Sequence, residues 1–126
     1  MKPMNKATIS SRLVTTTLLG VVFGVACMLL SRYTAQVAFW PIGVSLVLHH
    51  TAMGFAIGAS SLKMNWAAHG ALWGAIFGLF LAISFIGGAL QTWIAFTLPV
   101  FWGFLIETLA TKGFKQPQIG YSLTTN

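Results

Sequence analysis

The chain has 126 residues, 56% of them hydrophobic and only 6% charged; Glu107 is its sole acidic side chain and the net charge is +6. A soluble domain carries about 25% charged residues, and without them its apolar surface would aggregate, so composition excludes a soluble fold. The positive balance does not point to nucleic acid: the basic residues stand singly at the ends of apolar runs, where membrane flanks stand.

Residues 1–12 are polar and hold Lys2, Lys6 and Arg12. The apolar run 13–30 that follows is longer than a signal-peptide core, and Ser31-Arg32-Tyr33 is a poor cleavage site, so it is expected to be an uncleaved first transmembrane helix. A connection holding Arg32 leads to a second span, 37–62, with Pro41 in its first turns, where a missing N–H matters little. Phe39 and Trp40 suit the membrane interface. The third span is 66–85, then a tight turn at Ile86-Gly87-Gly88-Ala89. The fourth span is 90–111, with Pro99 in its middle, and the tail 112–126 is polar and expected to be loosely held. The chain thus reads as one all-α integral membrane domain, residues 1–126, of four transmembrane helices.

An even number of spans puts both termini on one side. That side holds Lys2, Lys6, Arg12, Lys63, Lys112 and Lys115, and the other only Arg32. Positively charged flanks face the cytoplasm, so both termini are expected there, in a cytoplasmic membrane of bacterial or archaeal type.

Two segments are alike. Leu19-Gly20-Val21-Val22-Phe23-Gly24 matches Trp73-Gly74-Ala75-Ile76-Phe77-Gly78, and Gly54-Phe55-Ala56-Ile57 matches Gly103-Phe104-Leu105-Ile106. Lys63 and Lys112 each follow the glycine of that second pair by nine residues. The reading is two tandem helical hairpins in parallel repeat, related by an axis along the membrane normal. In it Gly58 corresponds to Glu107, and His50 to Pro99.

Small residues form a row on every helix, which favours close helix contact in lipid. Gly20 and Gly24 mark the first helix, Gly54 and Gly58 the second, Gly70, Gly74 and Gly78 the third, and Gly103 the fourth. The second helix carries two rows, Gly43/His50/Gly54/Gly58 and Ser45/His49/Ala52/Ala56/Ala59, roughly opposite at about 100° per residue. It is therefore expected to be central, with the Gly70–Gly74–Gly78 ladder packed on one of its faces.

Ionisable groups inside a membrane are candidates for function. His49 and His50 fall near the middle of the second span; they can bond to a neighbour's hydroxyl or carbonyl, such as those of Thr17 or Thr97, relay protons, or ligate a haem or a metal. His50 shares its row with Gly54 and Gly58, so a flat cofactor could approach it. Glu107 lies about 7–8 Å inside the end marked by Lys112, and His69 lies at a similar depth beyond Lys63. A Glu107–His69 tie is the preferred pairing, with Lys63 or Arg12 as alternatives, since an unpaired carboxylate there would be costly. Lone Cys27 reads as a packing residue. One glutamate and one cysteine leave too few ligands for a metal site, and no cofactor is expected.

No Gly-x-Ser-x-Gly, Walker loop, His-Glu-x-x-His or Cys-x-x-Cys motif is present, so no enzyme is expected. In size and span count alone the chain resembles the small multidrug resistance transporters, but residues 13–30 lack the glutamate of their first helix. It is similar in size to dual-topology fluoride channels, whose balanced flanks this one-sided charge does not match. The leading expectation is a packing or accessory subunit of a larger membrane complex, or a structural homo-oligomer. Its partners are then the lipid bilayer and other membrane subunits or copies of itself. The alternatives are a small oligomeric transporter or channel using His50 and Glu107, and a cofactor-binding membrane subunit using His49 or His50.

Overall fold

The computed structural model describes residues 6–36, 38–84 and 88–119. Lys2, the expected start of the second span at Val37, the end of the third at Phe85, Ile86 and Gly87 of the turn, and the tail from Gly120 lie outside the described residues. The described residues are all-helical, with no strand, and four helices are each long and apolar enough to cross a membrane.

Helix α1 (Lys6–Ala35) runs well past both ends of the apolar run, so Arg12 belongs to the helix rather than to a flank. Helix α2 (Val44–Ala59) is shorter than expected. A residue before proline is pushed out of the helical region, and Trp40 is extended (φ −117°, ψ 135°) ahead of Pro41. The turn Phe39–Gly43 is therefore kinked, and regular helix starts at Val44. At the far end Ser60 is extended (ψ 132°), which stops the helix before residue 62. Helix α3 (Trp66–Ile83) is capped by Asn65, whose Oδ1 accepts from Ala67 N at 2.9 Å. Helix α4 (Ala89–Thr108) continues through Pro99 into a wide turn, Leu109–Gly113.

The first described part of the tail is held, contrary to expectation. Lys115 adopts φ 54° and reverses the chain, Gln116 N donates to Ala110 O at 2.9 Å, and Gln116 Nε2 donates to Ser11 Oγ at 2.8 Å. The start of α1 and the end of α4 thus meet. That end of the molecule is called the terminal end below, and the opposite one the loop end.

The helices pack as two antiparallel hairpins, α1 with α2 and α3 with α4, with far sparser contact between hairpins. A methyl added at Gly20 would run into the His50 carbonyl and sit 3.2 Å from Gly54 Cα; one added at Gly54 would meet Thr16 O and Gly20 Cα. In the second hairpin, a methyl at Gly103 would meet Gly70 O and Gly74 Cα, and one at Gly74 would meet Pro99 O. Gly24 faces Val47, and Gly78 faces Phe96. The expected packing of the Gly70–Gly74–Gly78 ladder on α2 is corrected: its partner is α4. The reason is steric. Glycine rows permit backbone contact, and each hairpin uses its own. The alanine-containing row of α2 keeps its Cβ atoms, and Ser45, Ala52 and Ala59 stay exposed.

Between the hairpins the middle of the molecule is apolar. Met53 and Ile57 of α2 and Ile106 of α4 are fully buried, surrounded by Leu19 and Phe23 of α1, Trp73 and Phe77 of α3, and Trp102 of α4. Phe23 of α1 stacks on Trp102 of α4 at 4.8 Å, and His49 of α2 meets Phe77 of α3 edge-on at 5.3 Å.

Candidate functional site

At the terminal end the sequence places Arg12 two turns into α1, His69 in the capped first turn of α3, and Glu107 in the last turn of α4. All three side chains are fully buried. Arg12 Nη2 donates to both carboxylate oxygens of Glu107, at 2.7 and 2.9 Å. His69 Nδ1 donates to Oε2 at 3.0 Å, and Thr111 Oγ1 donates to Oε1 at 2.8 Å. The carboxylate is thus satisfied on both oxygens, which is the condition for tolerating a charge out of water. Arg12 Nη1 also donates to Gln116 O, so the folded-back tail joins the cluster.

This geometry brings Glu107 and His69 together and puts Arg12 between hairpins as the charge partner; Lys63 is exposed and Lys112 sits over the Trp66 ring at 4.5 Å. Sequence reasoning missed Thr111 and the tail carbonyl. Thr111 was detectable as the i+4 neighbour of Glu107, on the same helix face. Gln118 is buried beside the tail turn. Gly58, matched to Glu107 in the expected repeat, packs against Thr16 and Leu13.

At the loop end a cavity of about 200 Å³ opens between the hairpins. Ile42, Leu46, Ile94 and Leu98 give it apolar walls, Ser31, Thr34 and Gln91 line it nearer the helix ends, and His50 and Pro99 are its deepest lining residues. His50 Nδ1 lies 2.8 Å from Leu46 O. A carbonyl only accepts, so Nδ1 carries the proton and the neutral ring presents a lone pair on Nε2. That Nε2 is buried and has no partner among the described residues; neither has His49 Nε2.

The expected histidine–threonine bonds are absent, because Thr17 and Thr97 donate to Leu13 O and Trp93 O in their own helices. The approach of a flat cofactor along the Gly54–Gly58 row is also corrected, since α1 fills that row. Among the described residues no three His, Cys, Asp or Glu side chains gather as metal ligands.

From one end to the other, then, the seam between hairpins holds a cavity ending at His50, an apolar layer, and a polar cluster. Pro99 and Glu107 mark the two sides of that layer, about 12 Å apart along α4 at the helical rise. Comparison with protein-family models, with curated proteins and with solved structures finds no match.

Proposed function

We propose that this chain is a small membrane carrier whose two hairpins rock against each other, with Arg12–Glu107–His69 as the gate at the terminal end. The observation that carries this reading is the asymmetry of the seam. It is open as a cavity at the loop end and tied by a buried ion pair across α1 and α4 at the other. Sparse contact between hairpins, against dense contact within them, makes each hairpin a natural rigid unit. Opening the terminal end would admit water to Arg12 and Glu107 and close the cavity. The pair separates tolerably only because water enters: attraction at 4 Å falls from about 4 kcal/mol near a protein surface to about 1 kcal/mol in water.

The parallel repeat supports this reading. Thr16, Gly20, Gly24 and Val47 of one hairpin make the contacts that Gly70, Gly74, Gly78 and Phe96 make in the other. Rocking of two repeats that are related by an axis along the membrane normal is a known transport architecture. Both termini are assigned to the cytoplasm from the six basic residues at the terminal end against one at the loop end. The cavity then faces outward. The function is not enzymatic, since the chain's one carboxylate is committed to the gate.

A second reading, an accessory subunit or homo-oligomer, is favoured by a different observation. Only 22% to 39% of each span's apolar stretch is buried within the chain, and Phe80, Trp93 and Phe101 are exposed on its sides. The two readings separate by spin-label distances between Thr34→Cys and Gln91→Cys, on a Cys27→Ser background in lipid nanodiscs. The carrier gives two distances across the cavity mouth, and Arg12→Gln shifts weight to the shorter. A single distance that ignores Arg12→Gln would overturn it and favour the structural reading.

A further inference from the structure

We propose that the cavity between the hairpins binds a small, mostly apolar molecule carrying one hydrogen-bond donor, of the phenol or alcohol type, with His50 Nε2 as the acceptor. This names a cargo class for the site on which the carrier reading rests.

The walls decide the body of the ligand. Ile42, Leu46, Ile94 and Leu98 offer apolar contact, and no charged side chain among the described residues lines the cavity. An ion or zwitterion would therefore lose its hydration without replacement. Size sets the scale: a cavity of about 150 Å³ lined by Leu, Ile and Phe suffices to hold benzene, and this one is about 200 Å³. A single six-membered ring with one substituent fits that volume.

His50 decides the polar end. His50 lines the cavity at its deep end, its Nδ1 proton is engaged by Leu46 O, and its Nε2 is buried without a partner among the described residues. A buried acceptor with an unmade bond is unfavourable, and a ligand hydroxyl relieves it. A ligand that only accepts meets a lone pair and gains nothing there. Of the two hydroxyls in the lining, Thr34 Oγ1 already donates to Leu30 O at 2.8 Å and Ser31 is hydrogen-bonded to Cys27, so neither competes for His50. Nothing in the lining formed by the described residues suits a cation: it holds one imidazole, one thiol at Cys27 and no carboxylate.

The test compares phenol with anisole, the same ring with its donor methylated, by equilibrium dialysis against the full chain in nanodiscs, with empty nanodiscs subtracted. Phenol is expected to bind saturably and about tenfold more tightly than anisole, the effect of one buried hydrogen bond. In ¹⁵N-histidine-labelled protein, phenol shifts the His50 Nε2 resonance and anisole does not. His50→Phe removes the preference while anisole still binds, which also shows that the variant folds. Leu98→Phe, which intrudes on the cavity, weakens both ligands. Equal binding of the two by the unaltered chain, absence of saturable binding, or an unmoved Nε2 resonance would each overturn the assignment. Failure here with two inter-hairpin distances intact overturns the ligand class and leaves the carrier. Saturable phenol binding with one fixed distance supports the ligand class and overturns the carrier.

Discussion

A buried arginine–glutamate pair stabilises only while both partners are present, because removing one strands the other's charge where solvation is poor. Arg12 and Glu107 are both fully buried, so Glu107→Leu or Arg12→Met alone is expected to lower stability by about 3–5 kcal/mol. The double variant should lose much less than the sum, since no charge is left behind. Reversible unfolding in mixed micelles measures the cycle, and strict additivity would show that the pair carries no coupling. The depth of Glu107 and His69 was legible from their distances to Lys112 and Lys63. The primacy of Arg12 was not, because sequence places it on the polar flank. Only the extension of α1 to Lys6 and the return of the tail to Gln116 bury it.

Backbone contact at glycine makes the two hairpins sensitive to single methyl groups. Gly74 and Gly103 face main-chain atoms of the opposing helix, which cannot move aside as a side-chain tip can. Gly74→Ala and Gly103→Ala are therefore each expected to destabilise the protein by about 1–3 kcal/mol, the range for overpacking. Gly113→Ala meets nothing closer than 3.9 Å and should change stability by less than about 0.5 kcal/mol. Thermal unfolding in detergent distinguishes these. Equal effects at all three positions would mean that close approach is not what holds each hairpin. At this scale the existence of four helices was legible; the alanine-containing row of α2, read as a second packing face, stays largely exposed. Which faces meet was not legible: every helix bears a small-residue row, and both the α1–α2 and α2–α3 connections are short. Glycine-to-glycine matching settles the choice, and it is a property of two faces together. The shortened α2 was half legible, because Pro41 restricts Trp40. The stop at Ser60 carries no comparable mark.

For the whole molecule, orientation controls what the cavity and the buried ion pair can do, since a cavity opening outward samples a different solution from one opening inward. The charge asymmetry is carried by side chains near the helix ends, where it counts most: Lys63 in the α2–α3 connection, Lys112 in the turn after α4, Lys115 just beyond. Against them stands Arg32 alone at the loop end of α1. Tyr33, 90% exposed beside Arg32, is the natural reporter for the loop end, and exposed Lys115 for the other. On a Cys27→Ser background, Tyr33→Cys is expected to react with a membrane-impermeant maleimide in intact cells. Lys115→Cys should react only after permeabilisation. The physical cause can be tested in the same assay. Replacing Lys63, Lys112 and Lys115 by Gln and placing two lysines at Gln36 and Ala38 narrows the bias from six against one to three against three. If flanking charge sets the orientation, Tyr33→Cys should then label in only part of the population, with the rest protected until permeabilisation. Unchanged labelling would assign the orientation to the helices themselves. Labelling of Lys115→Cys in intact cells would place the Arg12–Glu107 ion pair outside and the His50 cavity at the cytoplasmic end.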